Sequence, residues 1–175
     1  MVLWKRKEMT MAKRDINEFY NLVDEYINHP KVLEMKEYTH HGITRYDHCF
    51  RVAYHTYKVT KFLNLDYQSA TKAAMLHDFF TDELESEKRS LARYRNHPYI
   101  ARDNAKKYFG LSKKEEDIIV CHMFPITFTI PKYLETWIVD AIDDGVSIYE
   151  KCHSLKREAH SLANLVAVMI FTFLR

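Results

Sequence analysis

The chain has 175 residues, long enough for one domain with a real core, and its 47% hydrophobic and 14% aromatic content excludes a disordered polypeptide. Glycine and proline number only 3 and 4, too few for the turns of a sandwich or barrel, so composition favours helices. A net charge of +2 excludes a basic nucleic-acid footprint and leaves room for a small anionic ligand. The cysteines Cys49, Cys121 and Cys152 form no C-x-x-C pair and are three in number, which suits a reducing compartment and small buried side chains better than a catalytic thiol.

No apolar run of signal length opens the chain, and the start from Met1 to Arg14 is basic and amphipathic. Ile16, Phe19, Tyr20, Val23 and Ile27 recur at helical spacing and predict a helix over 16–27, ended by His29-Pro30. A short helix is expected around 32–38, then a turn at His41-Gly42. The next helix is predicted over 46–63, with Val52, Thr56, Val59 and Leu63 as its buried stripe. Asp66 is a suitable N-cap for a helix over 67–77, on which Ala70, Ala73, Ala74 and His77 share the inward face.

Residues 81–95 are charged and read as an exposed loop with some helix. Pro98 suits the first turn of a helix reaching Phe109, with Gly110 as the residue after its end. Ser112 and Glu115 fit a capping box for a helix ending near His122, and Pro125 and Pro131 bracket a loop. Two helices close the chain, over 134–149 and 156–174. The nearly continuous apolar run from Leu162 to Leu174 is shorter than the ~20 residues a membrane span needs, so a buried terminal helix is expected, with a cytoplasmic location and no membrane attachment. The expectation is therefore an all-α fold of about six to eight helices in a single domain over 1–175, without substantial sheet.

The chemistry gathers at histidines and aspartates. His77-Asp78 follows an apolar helix in Met75-Leu76-His77-Asp78-Phe79-Phe80. Neighbouring helical side chains diverge by about 100°, so both can face one point only at a helix end. An aspartate in such apolar company is costly to bury alone, and a divalent cation would offset that cost. A solvent-facing helix terminus is the plainer alternative. His48, His97 and His122 each have dull explanations as a core histidine, a helix flank and a helix-dipole partner. On the helix that begins near Leu134, Asp143 shares a face with Val139 and Val146, Asp140 is intermediate and Asp144 points away.

Taken in order, His48, His77-Asp78 and an aspartate in Trp137-Ile138-Val139-Asp140-Ala141-Ile142-Asp143 resemble the H…HD…D signature of the HD superfamily of metal-dependent phosphohydrolases. His97 and His122 resemble the two further histidines of members that bind two metals. The strings His41-Gly42-Ile43-Thr44-Arg45-Tyr46-Asp47-His48, Asn96-His97-Pro98 and His122-Met123-Phe124-Pro125-Ile126-Thr127 are similar to those of small bacterial members, and the resemblance runs from about His41 to Glu150. It implies an HD-domain helical bundle, with one metal on His48, His77, Asp78 and Asp143, and a second on His97 and His122 with Asp78 bridging. It further implies hydrolysis of a phosphoester or phosphoanhydride, a nucleotide among the candidates, by water activated between two divalent cations of a kind the sequence does not distinguish (Fe, Mn, Zn, Ni, Co or Mg). Asp78 and Asp143 would then be the catalytic carboxylates, and Arg45 and His41 candidate substrate contacts. Thr81 stands where many members carry a lysine after the HD pair, which leaves a phosphate contact to be supplied elsewhere. The alternatives are a non-catalytic metal-bound sensor of the same fold and an oxygen-using di-iron protein.

Overall fold

The computed structural model describes the backbone of residues 2–40, 43–80 and 91–173, and side chains within 13–39, 43–80 and 95–156. Seven α-helices run through these residues: α1 (Val2–Ile27), α2 (Pro30–Leu33), α3 (Arg45–Phe62), α4 (Tyr67–Leu76), α5 (Leu91–Phe109), α6 (Lys113–Cys121) and α7 (Leu134–Phe173). A 3-10 turn over Glu34–Glu37 follows α2, and the strands β1 (Thr39–His40) and β2 (Ile43–Thr44) pair antiparallel with His40 opposite Ile43. The fold is thus all-α. The turn expected at His41-Gly42 lies outside the described residues.

Helix α3 packs along α4 and α7, α4 packs on α6, and α6 on α5 and α7. Close approach of α3 and α4 follows from small residues on the facing surfaces. Cys49, Ala53 and Thr56 of α3 and Ala70, Ala73 and Ala74 of α4 are all fully buried. Phe19, Met35, Tyr57, Met75, Leu76, Ile118 and Ile119 fill the larger spaces of the same core. Removing water from each such side chain stabilises the fold by about 1.5–3 kcal/mol.

Local sequence signals fix the helix ends. His29 caps α2 by accepting from the Lys31 amide, with Pro30 in the first turn, where its missing N–H costs nothing. The Asp66 carboxylate accepts from the Ser69 amide to open α4, and Ser112 and Glu115 complete a capping box on α6. Asn64 at φ 55 and Gly110 at φ 65 take the left-handed conformation just past α3 and α5.

Three expectations are corrected. The buried face of α3 is Cys49, Val52, Ala53, Thr56, Tyr57 and Thr60, whereas Val59 and Leu63 are 38% and 48% exposed. Four of those six positions carry Cys, Ala or Thr, small enough for a close approach of the neighbouring helix. Pro98 lies inside α5, which begins at Leu91, so that helix continues past a residue unable to donate to the carbonyl one turn earlier. The two closing helices are one helix of 40 residues, because 149–156 contains neither glycine nor proline to break it. The packing of Leu162 to Leu174 lies outside the described residues. Among the described residues no helix is long and apolar enough to cross a membrane.

Candidate metal centre

Five helices bring their functional side chains to one point. His48 comes from the first turns of α3, His97 from within α5, and Asp143 from the inward face of α7. His77 and His122 are the C-cap residues of α4 and α6. That placement answers the geometric problem of the HD pair. At the end of α4 the chain leaves the helix, with the Phe79 amide on the Leu76 carbonyl at 3.1 Å and the Phe80 amide on the Asp78 carbonyl at 2.8 Å. Asp78 is thereby released from the 100° divergence of the helix.

Ligand-type atoms of His48, His77 and Asp78, of His77, His122 and Asp143, and of Asp78, His97 and His122 form three overlapping trios, each within 4.8 Å. Asp78 belongs to the first and third trios. The middle trio straddles the two ligand sets that the family resemblance implies, so the six side chains form one continuous cluster. Asp140 stays out of every trio and Asp144 points outward, as their helix positions require. His77 is fully buried and His97, His122 and Asp143 nearly so. Asp78 keeps 22% side-chain exposure, although its Oδ1 is buried, so the cluster opens to solvent on the Asp78 side.

Hydrogen bonds set which nitrogen of each ring faces the centre. His77 Nδ1 lies 2.7 Å from the Ala74 carbonyl, and His122 Nδ1 lies 2.7 Å from the Ile119 carbonyl. Each carbonyl lies in the last turn of its helix, where intrahelical amide partners run out, and a carbonyl can only accept, so each takes the Nδ1–H. The Nε2 lone pair of both rings then points into the cluster. His77 Nε2 stands 3.5 Å from Asp143 Oδ1, and His122 Nε2 stands 3.0 Å from His97 Nε2 and 3.6 Å from Asp78 Oδ1. Among the described residues, buried His77 Nε2 and Asp78 Oδ1 find no hydrogen-bond partner. His97 Nε2 lies 3.3 Å from that same Asp78 oxygen.

His48 is held differently. Its Nε2 is 2.8 Å from Asp143 Oδ1 and its Nδ1 is 2.9 Å from Glu150 Oε2. Burial opposes charge on this imidazole, but the two carboxylates outweigh it and push the ring up to about 10. Burial also opposes protonation of His77, yet the Cys49 sulfur and Asp143 beside it raise it well above the ordinary histidine value. For His122, burial and the neighbouring His77 and His97 push the ring down to about 3. Burial works to raise Asp78 and Asp143, but their histidine neighbours hold both below the usual carboxylate range. Outside the cluster, burial and repulsion from Asp144 and Asp143 lift Asp140 to about 7.

Glu150 escaped the sequence reading. The signal was its place seven residues after Asp143, on the same face of α7. Its second oxygen is 3.0 Å from Arg51 Nη1. Arg45, one turn before His48, stacks its guanidinium 3.7 Å from the Phe80 ring centre and donates to the Phe80 carbonyl. The Phe80 ring in turn sits 5.4 Å from that of His97, which places Arg45 beside the cluster. His41 and Thr81 lie outside the described residues. Cys49 and Cys121 are buried as expected but Cys152 is exposed. Burial pushes the Cys121 thiol up to about 12, which leaves it unreactive.

The model of the HD domain family matches residues 45–146. That span holds every member of the three trios and more than half of the chain, and the chain belongs to the HD domain family. No curated protein and no solved structure gives a significant match. Its clustered histidines and aspartates are consistent with divalent-metal coordination and metal-dependent hydrolase chemistry.

Proposed function

We propose that the chain is a two-metal phosphohydrolase acting on a small phosphoester or phosphoanhydride, with nucleotides as the first candidates. The observation that carries this reading is the pair of buried atoms, His77 Nε2 and Asp78 Oδ1, that no hydrogen bond satisfies among the described residues. With its Nδ1 proton on the Ala74 carbonyl, a neutral His77 would face the Asp143 carboxylate acceptor against acceptor, which is unfavourable at low dielectric. The ring meets that carboxylate either by taking a second proton on Nε2, as its raised pKa reflects, or by sharing a metal ion with it. Imidazole and carboxylate together fit a divalent transition metal.

His48, His77, Asp78 and Asp143 would hold one cation, and His97 and His122 a second, with Asp78 shared. Divalent metals bound there would lower the pKa of water and neutralise phosphate oxygens. Two carboxylates cancel the charge of one divalent cation, and neutral imidazoles cancel none, so a second cation leaves the centre positive for a phosphate. Asp78 presents its open edge on the side from which substrate arrives. Asp143, ionised as a ligand beside the cations, would orient the attacking water. Arg45, fixed against Phe80, supplies a cation at the rim for a phosphate oxygen, and His41 is a second candidate contact.

The test is metal analysis of anaerobically purified protein joined to a screen of nucleotides and generic phosphoesters. Metal-dependent phosphate release is expected. Iron with an oxygen-dependent spectral change and no phosphate release would replace hydrolysis with oxidation. Bound metal with neither activity would make the domain a sensor.

A further inference from the structure

Three histidines of the cluster, His48, His77 and His122, share one requirement and meet it in two ways. A ring that offers Nε2 to the centre must carry its proton on Nδ1, and that proton needs an acceptor. His77 and His122 find theirs in last-turn carbonyls of their own helices, those of Ala74 and Ile119. His48 has no such acceptor at hand. It lies in the first turns of α3, where carbonyls are consumed by amides further along the helix. Glu150 reaches across from α7 instead, with Oε2 at 2.9 Å from His48 Nδ1. The carboxylate is itself nearly buried, at 9% side-chain exposure, and Arg51 of α3 holds its other oxygen at 3.0 Å.

From this geometry we infer that Glu150 is a positioning residue that keeps the His48 proton on Nδ1 and aims Nε2 at the metal centre, with Arg51 as its clamp. The inference rests on the proposed role of His48 as a ligand. Asp143 and Glu150 stand two helical turns apart on one face of α7, so one rigid element presents both a candidate ligand and the group that orients another.

The test uses the full chain and Co2+ as the probe, read by the dissociation constant and by the visible spectrum of the loaded protein. His48→Ala comes first. Wild type that binds no Co2+, or a His48→Ala protein that binds it as tightly as wild type, overturns the ligand role and the inference together. With the ligand role standing, Glu150 decides the rest. Glu150→Gln keeps an acceptor at the same reach without the charge, whereas Glu150→Asp keeps the charge and is too short by one methylene. Loss of an outer acceptor typically costs 10- to 100-fold in metal affinity, so Glu150→Asp is expected to weaken Co2+ binding by about tenfold or more, and Glu150→Gln by about threefold or less. The cobalt spectrum of the aspartate variant is expected to shift and that of the glutamine variant to match wild type. Glu150→Leu, which fills the space with no acceptor, gives the same loss by a route that does not depend on how the aspartate variant folds. Wild-type affinity and spectrum in both Glu150→Asp and Glu150→Leu, with His48→Ala impaired, would overturn the positioning role and leave the ligand role intact.

Discussion

Replacing His122 by alanine separates the two halves of the proposed centre. The imidazole is 2% exposed, and its Nε2 stands 3.0 Å from His97 Nε2 and 3.6 Å from Asp78 Oδ1. Without it, the trio of Asp78, His97 and His122 is reduced to one histidine and a carboxylate that the other half also needs. The trio of His48, His77 and Asp78 is untouched. Metal content after dialysis against manganese, measured by elemental analysis, is expected to fall from about two equivalents per chain to about one. Turnover of a phosphoester is expected to fall by about 10²–10³-fold, the usual cost of removing one electrostatic contact to the transition state. The variant also loses the bond from Nδ1 to the Ile119 carbonyl, worth about 1 kcal/mol, and gains a small cavity, so it should melt a few degrees lower yet remain folded. A variant that keeps both metals, or one that loses a metal with no loss of turnover, would refute the assignment. Wild type that never exceeds one metal per chain would refute the two-metal mechanism itself.

Asp78→Ala and His77→Ala should each impair both sites in the same elemental analysis, since Asp78 belongs to two trios and His77 lies between them. In metal-free protein, His48 is pushed up to about 10, above the ordinary histidine value, so the ion pairs with Asp143 and Glu150 contribute stability that is complete below about pH 6.5 and lost as pH rises through about 10. Melting in chelator should therefore show a fall over that window that His48→Ala lacks. Because a metal must displace the Nε2 proton of that ring, metal affinity should instead rise with pH across neutrality, with proton release detectable by calorimetry in buffers of different ionisation enthalpy. Arg45→Ala should raise KM for a phosphorylated substrate by about tenfold while leaving metal content unchanged, as expected for loss of one charge-assisted contact. Ser112→Ala should lower stability by about 1 kcal/mol in urea unfolding, without effect on metal binding, by removing the cap of α6.

The parts of this molecule that sequence announces are those governed by neighbours along the chain. Caps at Asp66 and Ser112 and the helix stop at Gly110 depend on residues three or four apart, and each lies where its spacing predicts. The inward turn of Asp143 followed from helical phase alone. The convergence of His48, His77, Asp78, His97, His122 and Asp143 was legible only through family resemblance, because His48 and Asp143 touch across 95 positions of sequence. Pro98 misled because the proline rule describes the common case of a first turn. Val59 and Leu63 misled because periodicity ranks faces by hydrophobicity, whereas α3 meets α4 on the face whose side chains are small enough for close contact. Glu150 was silent for a different reason. Its role is defined by a histidine 102 positions away, and a glutamate on a helix otherwise reads as solvated surface.

That reach across the chain bears on how the protein folds. Side chains of α3 and α7 meet at His48 and Asp143, and those of α5 and α6 meet at His97 and His122, 25 positions apart. A cation shared among them would act as a cross-link that closes several loops at once. The entropy of closing such loops grows only slowly with their length, so bringing together ligands 95 positions apart costs only about 1 kcal/mol more than for ligands 25 apart. The unfolded chain holds no preformed site, so the metal would stabilise the bundle by binding its folded state alone, and the domain should lose metal and tertiary structure in one cooperative step.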